Sequence, residues 1–562
     1  FLFFFFFFFF CFFFCFFPPP PPPPPPRPEN NPPSDATIRA AGRHRGAARY
    51  GRLLLMHPVP GSPAELTAFA KLQAHLPDLF HKVTADRRQP QTVVVVPSLS
   101  LDPEELAKVT GVHHYEERML YMLMLLRRPR TRVVFVTSQQ IDPIVVDYFL
   151  HLLTGIPASH ARERLEMFWC NDASRQPLTA KVIARPRLIE RIRAVIPDPE
   201  SAHLVCFNSS PLERTLAVRL GIPLYASDPA LYHLGTKSGC RETFREAGVL
   251  FPDGFEHLRD GDDIAGALSA LKGAHPEMRR AVVKLNDGFS GEGNALFYFD
   301  GCDATSDTER TSWVRERLPS LRFEAPNENW DRYHCKFKEM RGVVEQFVEG
   351  DIKRSPSSQN RVNALGQAMA ISTHDQVLGG PSGQVFLGCT FPADDEYRLD
   401  IQRSGLQIAR ALAGKGVLGR FATDFVSVKE PDGWKHYAIE VNLRKGGTTH
   451  PFLTLRFLTD GTYDEETGLF YSQSGRPKFY YGSDSVQSDQ YKGICPPDLV
   501  DMAVVHELHY HVATERGVVF HLIGALSEFG KLGMVCIGDN PQQAEFLYRK
   551  TRSVLDQATR RA

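Results

Sequence analysis

The sequence carries no excess of charge of either sign. Its 562 residues include 65 lysines and arginines and 65 aspartates and glutamates, so the formal net charge is zero. A chain without a basic excess lacks the general electrostatic attraction that draws proteins to nucleic acids and anionic membranes. We therefore expect no nucleic-acid partner and no electrostatic attachment to an anionic membrane, and any recognition of phosphate must be local.

Paired cysteine and histidine motifs are also missing. The ten cysteines include no C-x-x-C pair and no His/Cys cluster at zinc spacing. Scattered cysteines of this kind indicate reduced thiols rather than a disulfide framework, so the expected location is the cytoplasm. The H-E-L-H stretch beginning at His506 lacks the i, i+4 histidine spacing of a metalloprotease helix, which argues against that class.

The first residues are of low complexity. Phe1 to Phe17 is almost pure phenylalanine, and Pro18 to Pro26 is an unbroken proline run. Seventeen residues lie at the lower limit for a membrane span, and no basic segment or small-residue cleavage site marks a signal peptide. Two interpretations are open: a membrane anchor, or a translated nucleotide repeat followed by a polyproline II stretch. We expect residues 1–52 to be a disordered N-terminus outside the fold.

Hydrophobic patterning predicts an α/β layer before residue 230. The length exceeds what one core can hold, so two to four domains are expected. Two β-branched runs, Thr92–Pro97 and Arg132–Thr137, flank a helical segment in the order of a βαβ unit. A third unit follows, with strands predicted at His203–Asn208 and Ile222–Tyr225 and a helix at Ser210–Leu220 between them.

A lysine and a glycine-rich loop lie between two β-rich runs in Ala281–Phe297. Lys284 is near the end of the first run, and the loop after it contains the small residues Gly288, Ser290, Gly291 and Gly293. Glycines let backbone N–H groups approach phosphate oxygens, and a flanking lysine adds a positive charge. The pattern fits a phosphate lid rather than a Walker A loop, because no G-K-[ST] follows. An ordinary glycine hairpin turn is the alternative.

A second candidate segment is Val343–Gly350, an apolar strand with Glu345 at its centre. Where such a strand leads into a linker, its backbone groups and a carboxylate can recognise the edge of a nucleotide base. The alternative is an amphipathic edge strand whose acidic side chains are solvated.

The third candidate consists of two strands joined by the turn Pro431-Asp432-Gly433. Asp424 lies on the first strand, and Glu440 and Asn442 lie two residues apart on the second, so a hairpin can place all three on one face. Three convergent oxygen-bearing side chains suit Mg²⁺, which keeps room for water and phosphate oxygens. A solvated polar face is the alternative, but the basic, glycine-rich turn beginning at Arg444 favours a metal and anion site.

In order and spacing, these elements resemble the ATP-grasp enzymes. Gly235-Thr236-Lys237 opens a predicted helix that ends at Ala247-Gly248-Val249, and EVNLRKGGTTHP is similar to the family's E-[IMV]-N-x-R segment. Phrases such as GTKSGCRETFREAGV, VVKLNDGFSGEGNA and GVVFHLIGALSEFGKLG extend the resemblance from Val94 to the C-terminus. They resemble the group that contains the pheganomycin peptide ligase and the IQ-motif-containing protein H.

The resemblance implies an α/β and α+β multidomain fold. We expect a Rossmann-like pre-ATP-grasp domain at 53–232, an ATP-grasp fold at 233–460 and a small, family-specific α/β C-terminal domain at 461–562.

The resemblance also implies a site for ATP and one or two Mg²⁺ ions. Lys237 and Lys284 are similar to the two nucleotide lysines, and Gly288–Gly293 is similar to the phosphate-covering loop. The adenine-contacting linker would be Glu345, Gln346, Phe347 and Val348. The metal ligands would be Asp424, Glu440 and Asn442, and the catalytic residues Lys284 and Arg444.

The implied activity is ATP-dependent joining of a small-molecule carboxylate to an amine, either of them an amino acid or a peptide. It would proceed through an acylphosphate and release ADP and phosphate. A catalytically silent ATP-binding regulator and an ATP-grasp kinase are the alternatives. Two polar stretches, Ser355–Asn360 and Ser372–Gln384, are expected to be loops that contact substrate. Calmodulin is not an expected partner, because Leu406 stands where an IQ motif requires arginine.

Overall fold

The computed structural model describes residues 57–101, 103–288, 293–325, 327–379 and 385–560. Its strands form three sheets of four, five and eleven strands. This mixture of a parallel sheet with two antiparallel sheets confirms the predicted α/β and α+β class. None of the helices in the described ranges combines the length and the apolarity that a bilayer crossing requires.

The N-terminal layer is a parallel sheet with the strand order β3-β2-β1-β4. Its elements are α1 (Pro63–Gln73), α2 (Leu76–Ala85), β1 (Gln91–Val96), α3 (Pro103–Lys108), β2 (Thr131–Thr137), α4 (Pro143–His151), α5 (Ala158–Arg162), β3 (Leu165–Trp169), α6 (Leu178–Ile183), α7 (Pro186–Ala194), β4 (Ala202–Cys206) and α8 (Pro211–Leu220). Every residue of β1 is buried, as expected for a β-branched strand covered on both faces. The connection between β1 and β2 contains a 3₁₀-helical segment, Val112–Arg127.

Two details of this layer differ from the sequence prediction. Ile222–Tyr225 is not a strand, because a single bridge between Leu204 and Leu224 is all that joins it to β4. The strand β3 was not predicted, since its sequence LEMFW has neither the alternation nor the β-branched run of its neighbours. The helix α8 begins where predicted, because the Ser210 side chain accepts a hydrogen bond from the Leu212 N–H.

The second layer is an antiparallel sheet with the order β5-β9-β6-β7-β8, covered by helices. Its elements, with the helix that precedes them, are α9 (Lys237–Ala247), β5 (Gly254–Leu258), α10 (Gly261–Ala274), β6 (Arg280–Leu285), β7 (Asn294–Tyr298), α11 (Asp307–Arg317), β8 (Arg322–Phe323), α12 (Trp330–Met340) and β9 (Gly342–Gln346). The glycine-rich loop joins β6 to β7, so it is the tip of an antiparallel hairpin.

The third layer is a large antiparallel sheet that contains β14 and β15. Its main path has the order β10-β14-β11-β12-β13-β18-β17-β16, with β15 on β14, β20 on β18 and β19 on β20. Its elements and the associated helices are β10 (Lys353–Arg354), β11 (Pro356–Val362), β12 (Ala368–Gly379), β13 (Val385–Phe391), α13 (Arg398–Gly414), β14 (Gly419–Glu430), β15 (Gly433–Asn442), α14 (Thr449–Thr459), β16 (Thr462–Asp464), β17 (Leu469–Tyr471), β18 (Pro477–Gln487), α15 (Pro496–Val505), β19 (Gly517–His521), α16 (Gly524–Phe529), β20 (Lys531–Gly538) and α17 (Pro541–Arg560).

The two polar stretches expected to be substrate loops are strands instead. Ser355–Asn360 lies largely in β11, and the described part of Ser372–Gln384 lies entirely in β12, which pairs with β11. The side chains of residues 357–360 are at most 3% exposed. Helix α13 packs directly over them, since a Cβ atom at Gly405 would come within 2.3 Å of the Ser358 Oγ atom. Polar composition suggested loops, but these side chains are polar and buried.

Candidate active site

The first of the two lysines predicted to bind nucleotide lies at the start of helix α9. The Thr236 side chain accepts a hydrogen bond from the Gly239 N–H and caps the helix, which places Lys237 in its first turn. The Lys237 N–H donates to the Asn286 carbonyl at 3.1 Å. The Ser238 N–H and hydroxyl donate to the Asn286 side-chain oxygen at 3.0 and 2.7 Å. The helix start is therefore attached to the residue that follows β6 and begins the glycine-rich loop.

Helix α9 also packs on β15, which fixes the direction of the Lys237 side chain. The Cys240 Sγ atom accepts from the Val441 N–H at 3.2 Å. The Lys237 Nζ atom lies 2.6 Å from the Glu440 Oε1 atom. This ion pair joins the helix that precedes the second layer to a strand of the third layer.

The second lysine is in a buried charge cluster between β6, β9 and α9. Lys284 and Val343 are paired in register, so Lys284 lies across from the strand that carries Glu345. The Lys284 ammonium donates to one Glu345 oxygen, and the Arg241 guanidinium donates to the other at 3.0 Å. All three side chains are buried. The Glu345 carboxylate is thus neutralised by two cations and is not free in this structure to contact a base.

The three predicted oxygen donors lie together on one face of the β14–β15 hairpin. Asp424 and Glu440 are paired in register, and the Asn442 amide donates to the Asp424 Oδ2 atom at 2.8 Å. From β12, which lies beyond β11 in the sheet, the Gln376 amide donates to the Asp424 Oδ1 atom at 2.9 Å. The hairpin turns between Glu430 and Gly433, as the sequence predicted.

The two carboxylates on this face favour the binding of a cation. Burial and the neighbouring Glu440 raise the pKa of Asp424 to about 6. Burial acts to raise the pKa of Glu440 as well, but Lys237 and Arg444 outweigh it and lower that pKa below its ordinary value. Two carboxylates this close repel one another, and a divalent cation between them would relieve the repulsion. The donor set of two carboxylates and one amide oxygen therefore fits Mg²⁺.

The glycine-rich loop follows β6, and the linker lies at the end of β9. Gly288 and Gly293 close the base of the loop, where a Cβ on Gly288 would lie 3.3 Å from the Gly293 Cα atom. Ser290 and Gly291 lie outside the described residues. Gln346 is the last residue of β9, Phe347 and Val348 follow it, and all three are half-buried. The Phe347 ring is covered by Arg280, whose guanidinium carbon is 3.8 Å from the ring centre.

Arg444 lies where the hairpin meets the N-terminal layer. The next residue, Lys445, donates from its ammonium to the Cys206 carbonyl at 2.6 Å, which ties this turn to the end of β4. Burial lowers the pKa of Arg444, and this effect outweighs the nearby carboxylates of Glu440 and Asp424, which act to raise that pKa. Among the described residues its guanidinium forms no ion pair within 4 Å, and its one hydrogen bond, to the Lys445 carbonyl, is 3.4 Å long. This arginine is therefore available for an anionic ligand.

Sequence reasoning missed two residues of this site. Arg241 lies four residues after Lys237, so helical spacing places both on the same side of α9, and this spacing was the available signal. Gln376 lies in one of the stretches taken for a loop, and nothing in the sequence indicated that it reaches Asp424.

Two family models match parts of the chain. Residues 229–318 match the model described as IQCH-like, ATP-grasp, and residues 498–551 match the PGM1 C-terminal domain. The first match covers α9, the second-layer hairpin and both lysines.

Two curated proteins are similar over most of the chain. The L-propargylglycine–L-glutamate ligase of Streptantibioticus cattleyicolor is 29% identical over 471 residues, which are 83% of this chain and 94% of that protein. The IQ motif-containing protein H of Danio rerio is 22% identical over 517 residues, which are 83% of this chain and 48% of that protein.

Solved structures are similar at a lower level. A biotin carboxylase–β-γ-ATP complex from Campylobacter jejuni has a TM-score of 0.49 and 12% identity, covering 84% of this chain and 96% of its own. An ADP complex of N5-carboxyaminoimidazole ribonucleotide synthetase has a TM-score of 0.45 and 10% identity, covering 84% of this chain and 98% of its own. Residues 229–318 carry the IQCH-like ATP-grasp signature, and the chain resembles the ATP-grasp superfamily, in the group of the amino-acid ligase and the IQ motif-containing protein H.

Proposed function

We propose that this protein is an ATP-dependent ligase that joins the carboxylate of one small molecule to the amine of another. The ion pair between the Lys237 ammonium and Glu440, 2.6 Å long, carries the proposal. It brings a cation from the start of α9 to the acidic face of the β14–β15 hairpin, and Lys284 also acts electrostatically on Glu440. The similarity to an amino-acid ligase over 94% of that protein supports an amino acid or a short peptide as substrate.

The two lysines would neutralise the phosphates of ATP. Phosphoryl transfer requires alignment and neutralisation of charge rather than a protein nucleophile. Both ammonium groups are held in place by carboxylates, Lys237 by Glu440 and Lys284 by Glu345, so they are oriented before the nucleotide binds. The glycine-rich loop at the tip of the β6–β7 hairpin would cover the phosphates and exclude water.

Asp424, Glu440 and Asn442 would hold one or two Mg²⁺ ions. Bound Mg²⁺ would offset the negative charge of the β- and γ-phosphates. Gln376 orients the Asp424 carboxylate through its 2.9 Å hydrogen bond, and Asn442 holds the other oxygen. The Asp424 carboxylate is thus held by side chains on β12 and β15.

Arg444 would bind the substrate carboxylate and then the acylphosphate formed from it. Its planar guanidinium suits two-pronged recognition of oxygen anions, and it lies close enough to Glu440 and Asp424 for their charges to act on it. Attack of the carboxylate on the γ-phosphate would release ADP, and attack of the amine on the acylphosphate would release phosphate. We propose the cytoplasm as the location, and 53–232, 233–460 and 461–562 as the three folded regions.

The test measures ADP and phosphate release from ATP when pooled amino acids and short peptides are added. A new amide together with free phosphate supports the ligase. A phosphorylated product would indicate a kinase, and ATP binding without release would indicate a regulator. Either result would contradict the proposal.

The site assignment is tested by removing the Lys284 charge without leaving a buried charge unpaired. In the double variant Lys284→Met/Glu345→Gln, we expect ADP release to fall at least about 100-fold, because a cation at the phosphates is lost. Lys429→Ala is the matched control, since Lys429 pairs with Glu396 at the exposed end of β14 and should leave ADP release unchanged. Undiminished release in the double variant would remove Lys284 from the mechanism.

A further inference from the structure

A second polar cluster lies in the third layer, apart from the nucleotide residues. It consists of His450 in α14, Asp484 in β18 and His521 at the end of β19, and we call it the His–Asp–His cluster. All three side chains are at least nine-tenths buried, with exposures of 6%, 9% and 4%. They are separated by 34 and 37 positions in the sequence and meet only through the fold. Neither ATP binding nor amide formation accounts for them.

Three donor atoms of this cluster point to a common place. The His521 Nε2 atom is 2.7 Å from the Asp484 Oδ1 atom, and the His450 Nε2 atom is 3.2 Å from the same oxygen. The two Nε2 atoms are 2.9 Å apart, and the rings are inclined at 68°. Asp484 lies in a bulge of β18, where the register shifts between Ser483 and Val486, and bulges redirect side chains in this way.

Hydrogen bonds alone do not account for all three contacts among these donor atoms. An imidazole Nε2 atom carries at most one hydrogen, and an ionised carboxylate oxygen carries none. If both histidines donate to Asp484, the 2.9 Å contact between the Nε2 atoms sets two N–H groups against each other. If one histidine instead donates to the other, the Nε2 lone pair of the accepting histidine faces a lone pair of the Asp484 Oδ1 atom. A cation bound by all three lone pairs removes the conflict.

The surroundings support the cluster as a ligand set. The Arg118 guanidinium donates to the second oxygen of Asp484 at 3.0 Å, the kind of outer hydrogen bond that orients a ligating carboxylate. Gly533 lies across from His521 on β20, and a Cβ atom there would come within 2.1 Å of the His521 Nε2 atom. Glycine at position 533 therefore leaves room for the His521 ring beside the other two donors.

We propose that the His–Asp–His cluster binds a divalent transition-metal ion, Zn²⁺, through two imidazoles and one carboxylate. Zn²⁺ bonds of about 2.0–2.2 Å in tetrahedral geometry separate ligand atoms by about 3.3 Å, so the donors need to move apart by only tenths of an ångström. Three protein ligands leave a fourth position for water or another ligand.

The ion would act as a clamp within the third layer. It would join the start of α14 to β18 and β19, and α14 follows the turn that carries Arg444 and Lys445. The position of that turn against the C-terminal strands would then depend on the metal. The proposal does not rest on ligase activity, because metal content is measured without substrates.

The test is the zinc content of the full chain, expressed with zinc and purified without a histidine tag. We expect about one equivalent of Zn²⁺ per chain after gel filtration, and visible d–d absorption of low-symmetry Co²⁺ when the metal-free chain is reloaded with cobalt. His521→Gln and Asp484→Asn should each lose at least about nine-tenths of this metal. Less than about a tenth of an equivalent in the wild type, with no cobalt absorption, overturns the proposal whether or not the variants fold.

Two controls separate this site from other metal binding. His374→Gln removes another fully buried histidine of the same sheet, whose Nε2 atom is bonded to the Tyr480 hydroxyl, and should retain the zinc. Asp424→Asn alters the proposed Mg²⁺ site and should retain it as well. Loss of the zinc in Asp424→Asn, with retention in His521→Gln, would place the ion at the nucleotide site and refute the clamp.

Discussion

Arg241 is the residue that links helix α9 to the buried carboxylate beside Lys284. It is 1% exposed and donates to Glu345 at 3.0 Å, to the Pro252 carbonyl at 2.8 Å and to Glu256 at 3.0 Å. Removing one partner of a buried ion pair leaves the other charge uncompensated. We therefore expect Arg241→Met to lower the free energy of unfolding by about 3–5 kcal/mol, measured by chemical denaturation.

Arg245 provides the control on the same helix. It also pairs with Glu256, at 2.5 Å, but its side chain is 54% exposed. Exposed pairs contribute little, so Arg245→Met should lower the free energy of unfolding by less than about 1 kcal/mol. Equal losses in the two variants would show that burial of the Arg241 pair does not matter for stability.

At the scale of residues, spacing in the sequence predicts the location of some side chains of the site but not of others. The period of two on β15 placed Glu440 and Asn442 on one face, and the structure brings Asp424 to them. Glu345 was expected to face a base, but two cations from separate segments enclose it. Such pairing depends on how distant elements pack, and a single sequence does not encode it in a readable pattern.

At the scale of elements, the contact between α9 and the preceding 3₁₀-helical segment (Pro229–Gly235) requires glycine at position 239. A Cβ atom there would lie 2.0 Å from the His233 carbonyl oxygen, a backbone atom that cannot rotate away. We expect Gly239→Ala to separate the two elements, to lower the free energy of unfolding by about 1–3 kcal/mol and to weaken ATP binding, because Lys237 is two residues away. Thermal unfolding and ATP titration measure the two effects.

The matched control is a glycine of helix α10 with no neighbour. At Gly266 nothing lies within 4 Å of an added Cβ atom, and the residue is exposed. Alanine has the higher helix propensity, so Gly266→Ala should raise the free energy of unfolding by about 0.5–1 kcal/mol without changing ATP affinity. A Gly239→Ala protein as stable as the Gly266→Ala protein would contradict the close contact.

Elements with a simple hydrophobic pattern were predictable, and those with buried polar residues were not. The strands β1, β2 and β4 and the hairpins β6–β7 and β14–β15 follow from β-branched runs and turn residues. The strands β11 and β12 did not, because Ser357, Gln359 and Asn360 are polar yet buried beneath α13. Burial of polar side chains follows from tertiary packing, which local composition does not report.

At the scale of the whole molecule, the hydrophobic core crosses the region boundaries drawn from the sequence. One buried cluster includes Val93 and Phe135 of the N-terminal layer, Phe452 of α14, Val518 of β19 and Leu555 of α17. The strand β18 pairs with β13 on one side and β20 on the other, so the C-terminal strands extend the sheet that carries the site. Loss of packing in one region is therefore expected to lower the stability of the others.

One buried carboxyl group of the N-terminal layer makes the stability of the protein depend on pH. Because the core is shared, its effect extends to the other regions. Burial raises the pKa of Glu116 to about 7, while hydrogen bonds from the Ser138 N–H, at 2.6 Å, and from its hydroxyl partly oppose the rise. The folded chain thus binds a proton at pH values where the unfolded chain, with an ordinary pKa near 4.5, has lost it. Stability from this group is full below about pH 4.5, declines as pH rises and is lost above about 7.

The variant Glu116→Gln isolates this effect, because glutamine keeps an oxygen that accepts from Ser138 but cannot ionise. We expect the free energy of unfolding of the wild type, minus that of the variant, to fall by about 3 kcal/mol between pH 4.5 and pH 8. Denaturant unfolding of both proteins across this range measures the difference, which removes the contributions of all other titrating groups. A difference that stays constant, or that rises with pH, would mean that Glu116 is already ionised in the folded protein, held by the nearby Lys181 ammonium, which donates to the Ser138 hydroxyl at 2.9 Å.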